Sequence, residues 1–404
     1  MGALFDTYRR YPVEIVRGEG CYVWDRNGRQ YLDFTSGIAV LSLGHAHPKL
    51  TNVLKTQAEI LWHTSNLFSH PWQEALAEKL IHHSVFDRVL FVNSGAEANE
   101  AAIKLVRRYR WLKNGKQLNP SQSPILVFQQ SFHGRTMGAL SATAQPSLQE
   151  GFTPLLDGFM ALPYNDAAAL EAIHPEVTAI MLELVQGEGG VRPADAHWLQ
   201  TLVERAKAYD IPIIVDEVQT GMGRTGRLFA YEAYDFEPDI MTLAKGLGSG
   251  FPIGAMLAKE YLAEAFTQGT HGSTFGGGPL ATAVAGAVVD IIAQDEFLAN
   301  VRSRAERLMT GLNQLLNHTL TSQETGMTLR GLGLLLGVVF SDLDGKTAQA
   351  RVAWWVDALR ARGILVLTAG REVMRVLPPL IVSDQAIEQF LSAFQEVMQA
   401  ERKA

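Results

Sequence analysis

Six short apolar runs between residues 88 and 258 limit most strongly what this chain can fold into. They are RVLFVN (88–93), PILVFQQ (124–130), TAIMLEL (178–184), IPIIVDEV (211–218), DIMTLA (239–244) and PIGAMLA (252–258). A strand with one face in water alternates apolar and polar residues, whereas one covered on both faces stays apolar throughout. Between the runs, Ala98, Ala101, Ala102, Leu105 and Val106 recur at helical spacing, as do Leu199, Leu202, Val203 and Ala206. Doubly covered strands separated by amphipathic helices predict an α/β fold with a mainly parallel central sheet. The last hundred residues change character. GLLLGVVF, ILVLTAG and MRVLPPL read as strands among the helical patterns TAQARVAWWVDALRARG and DQAIEQFLSAFQEVMQAERK, an α+β unit of its own. Near the other end, CYVWD and QYLDF resemble a hairpin around Asn27-Gly28 that shares a layer with this tail. At 404 residues the chain has room for both units. The expected division is an N-terminal segment 1–60 contributing to a small domain, a large domain 61–285, and a small C-terminal domain 286–404.

Ligand sites in such sheets gather at the carboxyl ends of the strands. IPIIVD delivers Asp216 there and DIMTLAK delivers Lys245. An acid and an amine so placed suit pyridoxal 5'-phosphate: the amine can condense with the aldehyde, and the carboxylate can keep the pyridine nitrogen protonated. GMGRTG (221–226) matches G-x-G-x-x-G in letters, but no helical periodicity follows and Pro238 interrupts the stretch. A dinucleotide site needs a helix opening at the glycines, so this is read as a glycine-rich loop.

Other strand ends carry further candidates. At Asn93-Ser94-Gly95-Ala96 a strand meets a long helix, and free amides there can hold an anion; Ser94 either adds a hydroxyl or caps the helix. In SFHGRT, Phe132 could stack on a flat ring and Arg135 could clamp a carboxylate, while His133 reads as a structural histidine. Glu188 is either a second working carboxylate or an exposed loop acid. The loop GTHGSTFGGG (269–278) offers Ser273 and Thr274 to a phosphate, or is a flexible connection. Arg375, alone among apolar strand residues, needs a partner or an edge position.

Composition narrows the partners. A formal charge of −7 argues against nucleic acid or an anionic membrane surface, and no run is long enough to span a bilayer. The single cysteine, Cys21, permits no internal disulfide and suits a reducing cytoplasm; no secretory signal is visible, and no metal is expected.

The motifs NSGAEANEAAIK, SFHGRT, VQGEGGV, DEVQTGMGRTG, AKGLGSGFPIGAM, GTHGSTFGG and RVLPPL together resemble the class III pyridoxal-phosphate aminotransferases over nearly the whole chain. The resemblance implies the fold type I architecture of these transferases and a homodimer with shared active sites. It makes Lys245 the lysine that bonds the cofactor and carries the proton, and sets Asp216 at the pyridine nitrogen, Val218 and Phe132 on the ring, and Gln219 at the phenolic oxygen. Ser94, Gly95 and Ala96 would hold the phosphate, and Thr274 would reach the phosphate of the neighbouring subunit. Arg135 and Ser273 would contact substrate.

FHGRT with GTHGSTFGG points to the branch acting on N-acylated ornithine. That implies transfer of the δ-amino group of N-acetylornithine to 2-oxoglutarate; the alternatives that share the machinery are succinylornithine, ornithine, 4-aminobutyrate or lysine as amino donor, and, as a different reaction class, an aminomutase or racemase on the same fold. Glu188 would neutralise Arg375 while the amino donor is bound and swing away for the carboxylate of 2-oxoglutarate. Two positions depart from the family pattern. Leu184 stands where Pro is usual, which restores a backbone N–H, and Gly278 stands where Asn is usual, beside the phosphate loop.

Overall fold

The computed structural model describes residues 3–317 and 325–403. Seven strands form the central sheet, in the order Arg88–Val92, Gly254–Ala258, Ile240–Leu243, Ile213–Asp216, Ala179–Leu182, Ile125–Phe128, Phe159–Leu162. Only Gly254–Ala258 runs antiparallel to its neighbours, so the other six share one direction and one carboxyl edge.

The apolar runs behave as doubly covered strands must. Ile213 and Val215 enter one buried cluster with Leu126, Ile180, Leu182, Met241 and Leu243. Ile214, between them, enters a second cluster with Ile125, Val127, Met181 and Ile240. Each side chain of this size withdrawn from water contributes roughly 1.5–3 kcal/mol, so a one-residue register slip would exchange the two faces at little gain and much misfit. The helix Gly95–Lys113 seals the second face with Ala101, Ala102, Leu105 and Val106. Asp195 caps the helix Ala196–Ala208 by accepting Trp198 N–H at 2.9 Å, which fixes where the chain turns back toward Ile213–Asp216.

The tail strands Met327–Leu332, Leu335–Phe340, Val373–Val376 and Leu367–Ala369 form an antiparallel sheet in that order. The N-terminal hairpin pairs Tyr22–Asp25 with Gln30–Asp33, and Ile364–Leu365 joins it in parallel, so the two ends of the chain share a layer as expected. Five of the described strands escaped the sequence reading: Ile15–Glu19, Phe159–Leu162, Met327–Leu332 and the two-residue strands Val185–Gln186 and Arg192–Pro193, which are too short to show a pattern. Ile15–Glu19, on a sheet edge, is broken by Arg17 and Gly18, Phe159–Leu162 is apolar but only four residues long on the edge of the central sheet, and Met327–Leu332 carries Arg330 and Gly331. Among the described residues no helix is long and apolar enough to cross a membrane.

Candidate active site

Asp216 is the last residue of its strand and is 4% exposed. Its Oδ2 accepts Asn99 Nδ2–H at 2.7 Å and lies 2.7 Å from His133 Nδ1, while Oδ1 accepts Val218 N–H at 3.0 Å. Asn99 is itself fixed, because its Oδ1 accepts from Thr242 Oγ1 at 2.7 Å and its amide also donates to the His133 carbonyl at 2.7 Å. Burial pulls the His133 imidazole down, but the Asp216 carboxylate outweighs it and raises the histidine above its ordinary value. Neighbouring Glu183, at the end of the next strand, accepts Phe132 N–H at 2.9 Å. Burial, with Asp216 adding to it and His133 opposing, pushes the Glu183 carboxyl up to about 7.

Lys245 follows its strand by two residues and begins a short 3-10 turn at φ 38°, a left-handed conformation that a lysine adopts only when its surroundings enforce it. Burial lowers its amine below the usual lysine range; Glu188, Asp216 and Glu183 act against this and Arg375 with it. Across the cavity, Ser94 caps the helix Gly95–Lys113 by accepting Glu97 N–H at 3.2 Å. The hydroxyl hydrogen stays available, so the capping and anion-binding readings of Ser94 are compatible. Gly95 and Ala96 occupy the first helical positions, whose amides have no intrahelical acceptor. A Cβ on Gly95 would sit 2.7 Å from Val218 Cγ1, so only glycine lets this turn close on the Asp216 loop.

These groups line one cavity of roughly 430 Å³, with Phe132, Arg135, Val218 and Gln219 completing the wall. Its size is that of a small-molecule site. Arg135 is exposed at the mouth, its guanidinium 5.6 Å from the Phe132 ring centre. Behind Gln219 lies the ion pair: Arg375 Nη1 donates to Glu188 Oε1 at 2.5 Å and to Gln219 Oε1 at 3.0 Å. Arg375 is 1% exposed, so it is an interior residue, and Glu188 is its partner rather than a free loop acid. Burial pushes the Glu188 carboxyl up, but Arg375 outweighs it and holds the carboxyl below its ordinary value.

Besides Glu188 and Arg375 behind its wall, two further candidates lie outside this cavity. Ser273 touches its edge only through Asn93, whose amide donates to Ser273 Oγ at 3.2 Å. Thr274 is exposed in a separate groove of about 1260 Å³ beside His63 and Asn66. The GMGRTG loop is followed by no α-helix, only the 3-10 turn Ala230–Ala233, and Arg224 is buried against the tail, with Nη1 donating to the Leu334 carbonyl at 3.2 Å and the Pro378 carbonyl at 2.5 Å. Sequence reasoning missed Asn99, Thr242 and Glu183, and left His133 as structural. Asn99 carried a signal, a polar side chain inside an alanine-rich buried stripe.

The residues present fit a flat pyridine aldehyde bearing a phosphate. A buried carboxylate fixed by two neighbours can face a ring nitrogen, an aromatic ring and Val218 can flank a plane, and helix amides can take the phosphate. A buried His133 Nε2 without a partner adds polar capacity beside Asp216.

Residues 6–398 match the family model for class III aminotransferases. The chain is 47% identical over 403 residues to the acetylornithine aminotransferase of Thermosynechococcus vestitus, covering 98% of this chain and 95% of that protein. It is 44% identical over 396 residues to the acetylornithine aminotransferase of Oceanobacillus iheyensis, again covering 98% and 95%. Among solved structures, N-acetylornithine aminotransferase from Stenotrophomonas maltophilia superposes with a TM-score of 0.83 at 37% identity, covering 98% of each chain. Ornithine aminotransferase from Toxoplasma gondii, in a structure with partial occupancy of pyridoxal phosphate at its active site, superposes with a TM-score of 0.92 at 33% identity, covering 100% of this chain and 93% of that one.

Proposed function

The chain belongs to the class III aminotransferases, which depend on pyridoxal phosphate, and on that premise we propose that it moves the δ-amino group of N2-acetylornithine to 2-oxoglutarate. The products are N-acetylglutamate 5-semialdehyde and glutamate, a step of arginine biosynthesis. The observation that carries this reading is the full-length likeness to acetylornithine aminotransferases at 44% and 47% identity.

When bound, pyridoxal phosphate supplies an aldehyde for the amine and a protonated ring that withdraws electrons from the reacting carbon. In our reading Lys245 would hold the cofactor through its Nζ and, whenever that amine is free, would take and return the proton at the substrate's reacting carbon; its lowered basicity favours a free amine for that task. Asp216, held in place by His133 and Asn99, would hold the ring nitrogen. Ser94, Gly95 and Ala96 would hold the phosphate, Phe132 and Val218 would flank the ring, and Gln219 would reach the phenolic oxygen.

Arg135 and Ser273 orient the substrate's remote end. The Glu188–Arg375 pair answers the two unlike substrates. Acetylornithine presents no carboxylate beside its reacting carbon, so Glu188 stays on Arg375 and spares a buried cation from standing alone. 2-Oxoglutarate brings such a carboxylate, and Glu188 yields Arg375 to it.

We also propose a homodimer, with Thr274 completing the neighbour's phosphate site, a division near residues 60 and 285, and a cytoplasmic setting. Thr274 lies beside exposed Leu67, Phe68 and Phe275, an apolar surface suited to a second copy. Steady-state kinetics with acetylornithine, succinylornithine, ornithine, 4-aminobutyrate and lysine test the substrate; a higher kcat/KM for any of the last three than for the acylated donors overturns the assignment.

A further inference from the structure

The segment that carries Glu188 is the tip of a small hairpin, Val185–Gln186 paired with Arg192–Pro193. A loop of this kind, with Gly187, Gly189 and Gly190 around one acid, invites the reading that the whole tip moves when Glu188 leaves Arg375. The contacts say otherwise. A Cβ at Gly187 would lie 2.4 Å from Gln219 Oε1, and one at Gly189 would lie 2.5 Å from the Gln130 carbonyl, so these glycines serve close packing. Gly187 N–H reaches Glu183 Oε1 at 3.3 Å. Val191 is fully buried and sits at φ 53°, a conformation a β-branched residue holds only where packing enforces it.

The remaining hold is Arg330. Its Nε and Nη2 both donate to the Gly190 carbonyl, at 2.9 and 2.6 Å. Arg330 stands opposite Gly337 on the next strand, and Gly337 stands opposite Arg375 on the one after. The same sheet therefore presents two arginines to one hairpin tip: Arg375 on the Glu188 side chain and Arg330 on the backbone two residues later. At Gly337, between them, a Cβ would sit 2.9 Å from Val191 Cβ, which lets the tip lie directly on the sheet.

We propose that Arg330 is the positioning residue of the Glu188 switch. By clamping the Gly190 carbonyl it keeps the backbone still, so that Glu188 exchanges partners by side-chain rotation alone and returns to Arg375 in one geometry. This rests on the Glu188–Arg375 reading given above. Without the clamp, closing the pair must also order the loop, so the closed state loses population and Arg375 is more often free for a carboxylate.

Binding of glutarate, a five-carbon dicarboxylate that cannot react, reads this out by calorimetry on the cofactor-loaded protein. Glu188→Ala is expected to tighten glutarate by about tenfold, because Arg375 is then always free, and Arg330→Ala by about threefold, because it is freed only part of the time. Arg330→Lys, which keeps one donor, should fall between Arg330→Ala and the wild type. In the Glu188→Ala background Arg330→Ala should add nothing. Tighter binding in Glu188→Ala with none in Arg330→Ala overturns the clamp alone. Equal weakening by Arg330→Ala in both backgrounds also overturns it, since that is what a merely structural arginine would give. Unchanged glutarate affinity in Glu188→Ala overturns the ion-pair reading itself, and the clamp with it.

Discussion

At the scale of single residues, the chemistry depends on charges whose neighbours set their state. Asp216 and Lys245 were visible in the sequence because each ends an apolar run, and the family motifs around them assign their roles. Glu183 ends a run in the same way, yet only the structure sets it beside His133 and Asp216. Because the folded protein raises the Glu183 carboxyl from 4.5 to about 7, the folded state binds its proton more tightly than the unfolded chain does. Its contribution to stability is therefore complete below about pH 4.5 and is lost as pH rises through 7. Urea midpoints of the cofactor-free protein at pH 5, 6 and 7 should fall along that series, and Glu183→Gln should flatten the fall; an unchanged slope would remove this account. Lys245→Ala should abolish transamination while leaving the far-ultraviolet circular dichroism unaltered. Glu188→Ala should reduce the amino-donor half-reaction more than the 2-oxoglutarate one in single-turnover kinetics, because Arg375 loses its partner only where no substrate carboxylate replaces it.

At the scale of elements, most of the sheet was legible and the edges were not. Each of the six apolar runs contains one strand of the central sheet, with the end nearest the site trimmed by one or two residues where the chain turns into the site. Ile15–Glu19 went unread because an edge strand need not be apolar on both faces, and Phe159–Leu162, though apolar throughout, is a run of only four residues. The GMGRTG loop packs on the turn between Met327–Leu332 and Leu335–Phe340: at Gly333 in that turn, φ is 61° and a Cβ would lie 2.4 Å from the Thr225 carbonyl carbon. Leu334 N–H donates to the Arg224 carbonyl at 3.0 Å, so loop and strand turn are locked backbone to backbone. Gly333→Ala should destabilise the protein by about 2 kcal/mol or more, from the left-handed conformation and the overlap together. A thermal midpoint within a degree of the wild type would contradict that. Gly278, the departure from the family's Asn, is the N-cap of the helix Pro279–Ile292 and makes no side-chain cap hydrogen bond, so its effect is on that helix end.

At the scale of the whole molecule, one chain leaves the site unfinished in our reading. Thr274 stands in a groove apart from the main cavity; Leu67, which lines that groove, and Phe275, next to Thr274 in the chain, expose 89% and 64% of their surface. Phe275→Asp should shift the protein toward monomer in light scattering and weaken cofactor retention in the same preparation; a dimer that keeps its cofactor would argue against the shared site. What the sequence determined by itself was local: apolar runs that must be covered on both faces, residues delivered at their carboxyl ends, and a set of motifs that name a family and its cofactor. These follow from short-range periodicity and from chemistry carried by neighbouring letters. The family resemblance already implied that Glu188 meets Arg375; the tertiary structure shows how packing achieves that meeting, and it alone brought Asn99, His133 and Glu183 to Asp216. Arg375 and Glu188 are 187 residues apart, and Asn99 and Asp216 are 117 apart. Nothing in the chain between them fixes that meeting, because partners for buried charges are chosen by how sheets and helices pack, not by position along the sequence.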